Sequence, residues 1–143
     1  MTFTLHPQLA KDGLDLGDFE ISKLLMIKDV AYPWFVLVPR VANIKDAHEL
    51  DEQTHMQVLR ESRALCAALM TAFVGTKMNV AALGNMVPQL HIHHIVRAPS
   101  DPAWPAPVWG VQPLTPLTEH QILERVQRLK RAFEGVSHCP AWA

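Results

Sequence analysis

Residues 89–97 read Gln89-Leu90-His91-Ile92-His93-His94-Ile95-Val96-Arg97, and the reading of this stretch decides the fold. Three of the chain's eight histidines fall within four positions, among Leu, Ile and Val residues that favour strands. Side chains alternate across a strand, so Gln89, His91 and His93 are expected on one face, and Leu90, Ile92, His94 and Val96 on the other. Alternate residues lie roughly 6.5 Å apart at Cα. A half-buried strand does not need a polar row with two imidazoles in order to fold. Imidazole does change protonation near neutral pH, attack phosphorus and bind metals.

His94, on the apolar face, reads as a surface residue or a satisfied core polar group. His6, His48, His55, His120 and His138 are scattered and read as surface residues. Two chemical readings of His91 and His93 stand side by side. As metal ligands they would need a third partner for a catalytic zinc, with Asp29, Asp101 and His48 as candidates. As a nucleophile and general acid toward phosphorus they would need an anion cradle. Asn79, Asn85 and the backbone N–H groups around Gly84-Asn85 precede the strand and suit that role.

Upstream of this stretch, Lys77 to Leu83 reads as a strand and Gly84-Asn85 as a turn. Residues 52–74 form the strongest helical pattern, with Met56, Leu59, Cys66, Leu69 and Phe73 as its expected apolar stripe and Gly75 as its stop. Further upstream, residues 19–28 and 34–38 read as an antiparallel hairpin around the turn Asp29-Val30-Ala31-Tyr32-Pro33. The segment up to Gly17 reads as a short helix and loop. Downstream, Pro99 to Pro116 is too rich in proline for regular structure, but Trp104 and Trp109 give it apolar surface to pack, as a substrate-closing or dimer-contacting tail or as simple cover for the sheet, with cover or dimer contact the favoured readings. Thr118 and Gln121 form a capping box for a last helix with Ile122, Val126, Leu129 and Phe133 as its stripe. Hairpins with two amphipathic helices predict an α+β domain built on an antiparallel sheet.

The composition sets bounds on the function. The 143 residues suit one domain (1–143), and 49% hydrophobic with 19% charged residues predicts a packed core. A net charge of −1 supplies no field to attract nucleic acid. No apolar run approaches the roughly 20 residues of a membrane span, and the N-terminus lacks a signal pattern. Cys66 and Cys139 read as reduced thiols, which places the expected location in the cytoplasm.

The stretch 89–97 resembles the histidine-triad (HIT) family motif, His-φ-His-φ-His-φ-φ with φ hydrophobic. Gln89 stands at the first triad position, His91 at the second and His93 at the third. Arg97 lies four residues beyond His93, as the family's arginine does. Gly84-Asn85 takes the place of the family's Gly-Gln, with Met86 where a hydroxyl residue is common. Phe35-Val36-Leu37-Val38-Pro39-Arg40 resembles the family's strand ending in Pro-Lys or Pro-Arg, preceded by Trp34 where a histidine is usual.

The resemblance implies a HIT-like antiparallel sheet of about five strands with a central amphipathic helix and a C-terminal helix, the 98–143 tail being packed on it. It further implies a homodimer that binds nucleotides and hydrolyses or transfers them at the α-phosphate, without metal or other cofactor. By the same resemblance His91 is the nucleophile, and His93 contacts phosphate and protonates the leaving group. Gln89 positions, Asn85 binds phosphate, Asn79 orients phosphate or leaving group, and Asp29 binds ribose hydroxyls. A nucleotide-binding protein with little catalysis is the alternative, and a metal-dependent hydrolase using His91 and His93 a further one.

Overall fold

The computed structural model describes residues 2–111 and 113–143. Met1 and Gln112, in the expected N-terminal segment and Pro-rich stretch, lie outside them. Strands β1 (Gly13–Asp18), β2 (Ser22–Ile27), β3 (Trp34–Pro39), β4 (Lys77–Ala81), β5 (Ile92–Arg97) and β6 (Ala141–Trp142) form one antiparallel sheet in the order β4-β5-β3-β2-β1-β6. Helices α1 (Pro7–Asp12), α2 (Glu52–Ala72) and α3 (Glu119–Ala132) complete the α+β architecture. The expected hairpin is β2–β3, paired from Ser22↔Pro39 to Met26↔Phe35. Residues 13–17, expected within a short helix and loop, lie in β1 instead, because Leu14 and Leu16 pack against the core and β2 supplies their backbone partners. The sixth strand arises at the C-terminus, where Trp142 lies opposite Gly17. A Cβ on Gly17 would strike the Ala141 carbonyl, so only glycine lets the two backbones approach this closely.

Both faces of the sheet are covered, which explains why Leu24-Leu25-Met26-Ile27 and Phe35-Val36-Leu37-Val38 run apolar without alternation. Leu24, Met26, Phe35, Leu37 and Val96 face α2 and α3, meeting Leu65, Leu69, Leu129 and Phe133. Leu25, Ile27, Val36 and Val38 face the other way, toward Phe3, Leu5 and Leu9 of the N-terminal segment. Beside them Ile95 packs with Tyr32 of the β2–β3 turn and with Ala103 and Val108 of the Pro- and Trp-rich stretch.

The buried stripe of α2 is only partly the one its periodicity predicts: Leu69 and, at its C-terminal end, Phe73 are buried as expected. Val58, Glu61, Ser62, Leu65, Ala68 and Leu69 are buried, whereas Met56 and Leu59 are exposed. Two polar residues occupy the core face because each has a specific partner there. The Glu61 carboxylate accepts the N–H groups of Ile21 and Ser22, closing the turn into β2, and Ser62 bonds His94. The last helix is as predicted, with the Thr118–Gln121 capping box formed and Gly135 in the left-handed region after its end.

Candidate functional site

The regular part of β5 begins at Ile92, three residues later than predicted, but the alternation survives. Leu90, Ile92, His94 and Val96 face α2, and His91, His93, Ile95 and Arg97 face away. His94 is fully buried, with Nδ1 2.9 Å from the Ile92 carbonyl and Nε2 2.7 Å from Ser62 Oγ. Since a carbonyl only accepts, Nδ1 carries the proton and Ser62 donates to Nε2. Burial, the dominant influence, pulls its pKa down to about 4. His94 is thus a neutral core group on the opposite face of the strand from the other two.

His91 and His93 lie together on the opposite face, ring centres 5.0 Å apart, in the wall of a cavity of about 890 Å³. The sheet floor of this cavity is Leu25, Ile27, Trp34 and Val36. Leu9, Lys11 and Asp12 of the N-terminal segment form one side, and Gly84, Asn85 and Met86 another. Trp109 and Leu114 of the Pro-rich stretch close a third, with Lys28 at the end of β2.

His91 Nδ1 sits 2.6 Å from the Gln89 carbonyl, so it donates and leaves Nε2 with a free lone pair. That is the state a nucleophilic imidazole needs. His93 has the opposite arrangement, because the Trp34 indole N–H donates to its Nδ1 over 3.0 Å. Burial first, then the neighbouring His91 and His94, push the His93 pKa down to about 4. Trp109 packs edge-on against both His93 (5.1 Å) and Trp34 (5.9 Å).

Of the other residues expected at the site, Asn85 lines the cavity. Gln89 precedes the strand and its side chain is engaged elsewhere. The amide accepts the His6 N–H (2.8 Å) and donates to the Thr4 carbonyl (2.9 Å), pinning the N-terminal segment. Asn79 stands opposite Ile95, and its Oδ1 accepts from Arg97 Nη1 at 2.8 Å. Asp29 is buried, takes the Ala31 N–H in a tight turn and bridges to Pro116, which lines the cavity. Trp34 and Trp109, absent from the expected set, are the aromatic neighbours of His93. The tryptophans of the Pro-rich stretch were the available signal for the second, since apolar rings in an irregular segment need a surface to cover. The wall from Leu9 to Asp12 has no local signal at all, being about 80 residues from the histidines in sequence. Among the described residues, no three His, Cys, Asp or Glu side chains come together as a metal-ligand set, and no helix is long and apolar enough to cross a membrane.

The HIT domain model matches residues 14–100. A histidine triad protein from Marinobacter aquaeolei VT8 is 47% identical, with 96% of this chain and 100% of that one covered and a TM-score of 0.91. Histidine triad proteins from Bradyrhizobium japonicum (40% identity, 92% and 98% covered, TM-score 0.90) and Sinorhizobium meliloti 1021 (36%, 92% and 97%, 0.89) are similarly alike. Curated proteins give no match. With paired imidazoles on one strand, an Arg97 beyond them and these relatives spanning nearly the whole length, the chain belongs to the HIT family, whose members are typically nucleotide-binding hydrolases or transferases.

Proposed function

We propose that this protein hydrolyses or transfers nucleotides at the α-phosphate of a nucleotide conjugate, a phosphoramidate or a dinucleoside polyphosphate, through a nucleotidyl-histidine intermediate on His91. The observation that carries the reading is the His91 Nδ1–H bond to the Gln89 carbonyl at 2.6 Å, which leaves the bare Nε2 in the wall of the cavity beside His93. His93 offers its Nε2–H to the phosphate and the departing atom. Asn85 and the loop at Gly84 serve the phosphate oxygens, and the apolar floor takes the nucleoside. Gln89, Asn79 and Asp29 act at one remove: Gln89 holds the N-terminal wall, Asn79 steadies Arg97, and Asp29 shapes the cavity rim next to Lys28. The chain works as one domain, 1–143, in the cytoplasm and as a homodimer, with no metal or other cofactor.

His91→Ala is expected to abolish turnover of diadenosine tetraphosphate and adenosine 5′-phosphoramidate with unchanged circular dichroism; retained activity would sink the mechanism. Trapping on the wild type, quenched at alkaline pH, should place one adenylyl group on His91. A second reading, nucleotide binding without useful turnover, is favoured by Gln89, whose amide is engaged with Thr4 and His6 at the first triad position. Calorimetric binding of AMP with no hydrolysis across a nucleotide panel would select it.

A further inference from the structure

An indole N–H can only donate a hydrogen bond. That of Trp34 meets His93 Nδ1 at 3.0 Å, so this nitrogen carries the lone pair, and the proton of the neutral ring sits on Nε2. Charging His93 would put a second proton on Nδ1, facing the indole hydrogen, and would break the bond. The surroundings oppose a charge as well. His93 is 9% exposed, His91 lies 5.0 Å away and Trp109 5.1 Å away, and His94 follows on the other face of the strand. The charged side chains lining the cavity are Lys11, Asp12 and Lys28, and the Asp12 carboxylate is bonded to Gln8 Nε2.

We propose that Trp34 is a positioning residue that holds His93 as a neutral Nε2–H donor, and that the site consequently cleaves phosphoanhydrides in preference to phosphoramidates. The proposal rests on the nucleotidyl-histidine reading above. In its first step the lone pair of His91 Nε2 forms the N–P bond, while the bond from phosphorus to the leaving oxygen breaks. A phosphate leaving group takes that electron pair and departs as an anion, helped by a hydrogen bond from His93, which keeps its proton. An amine must receive a proton as it leaves, and a neutral imidazole is a far weaker acid than an imidazolium. In the second step a water oxygen attacks phosphorus, the electron pair of the N–P bond returns to His91 Nε2, and the water proton passes to solvent. The depressed pKa of His93 agrees with this arrangement.

The test uses the full chain with diadenosine tetraphosphate and adenosine 5′-phosphoramidate as a matched pair. At neutral pH kcat/KM is expected to favour the anhydride by about 100-fold, the scale of one lost general acid. Trp34→Phe, which keeps an aromatic ring but removes the N–H, should reduce that preference by about tenfold or more and give phosphoramidate cleavage an alkaline limb in the ordinary histidine range, where His93 loses its second proton. An unchanged ratio would overturn the proposal, because a merely structural loss lowers both rates alike. Nitrogen-15 NMR of the wild type needs no variant. It should report a neutral Nε2–H tautomer for His93 down to about pH 5, and an Nδ1–H tautomer or titration near 6.5 would remove the lock whatever the kinetics. Failure to turn over either probe would remove the nucleotidyl-histidine reading and the substrate preference with it, while the NMR result separately decides whether Trp34 sets the tautomer.

Discussion

At the scale of single residues, three histidines within four positions have three different environments, each set by hydrogen-bond partners that only donate or only accept. His91 meets a carbonyl, His93 an indole N–H, and His94 a carbonyl and a hydroxyl. His93 and His94 both have pKa values of about 4 in the folded protein, against roughly 6.5 when unfolded. The unfolded chain therefore binds more protons between these values, so stability is complete above about pH 6.5 and falls as the pH drops toward 4. Linkage puts the loss at about 2 kcal/mol per histidine by pH 5, above the range where most carboxylates titrate. Urea unfolding at pH 7.5 and pH 5 checks this; an unchanged midpoint would contradict it. Strand alternation alone separates His94 from the other two, whereas the tautomers depend on Trp34 and on the Gln89 carbonyl.

At the scale of elements, Arg97 connects β5 to the Pro- and Trp-rich stretch. It is 2% exposed and reaches Asp101 through Nε (2.8 Å) and Nη2 (3.1 Å), the Ala106 carbonyl (2.7 Å) and Asn79 (2.8 Å). Tyr32 and Trp104 each stand with their rings 5.7 Å from its guanidinium. Burial would raise the Asp101 pKa, but Arg97 and the N–H groups of Ala98 and Trp104 together hold it below the usual range. Arg97→Ala strands a buried carboxylate and is expected to cost about 3–5 kcal/mol. It also loosens the segment that carries Trp109, so activity should fall along with the denaturation midpoint. The double variant with Asp101→Ala should lose less than the two single losses added together; additive losses would show that the pair is not coupled. The position of Arg97 four residues past His93 is visible in sequence, but its role as a clamp is not. Likewise, α2 is legible as a helix while its buried stripe is legible only in part, because Glu61 and Ser62 are polar and hold their core positions only through partners at β2 and β5.

At the scale of the whole molecule, the sheet ends in β4, whose outer edge has no strand beside it among the described residues, and Val80 on it is 49% exposed. An open edge is a template for pairing with a second copy. Sedimentation is expected to give about twice the 16.1 kDa chain mass. A monomer at micromolar concentration would remove the homodimer from the proposed function, and Val80→Lys should weaken association without altering the isolated fold. By itself, the sequence determined the elements whose signals are local: the β2–β3 hairpin, the extents of α2 and α3, the capping box at Thr118 and the face shared by His91 and His93. These follow from periodicity and turn chemistry within a dozen residues. The tertiary structure alone decided what depends on distant partners. β1 is a strand because it pairs with β2, and β6 because it pairs with β1. Gln89 is a staple because Thr4 and His6 come to it, and His93 is a fixed donor because Trp34, 59 positions away, supplies an N–H that can only donate.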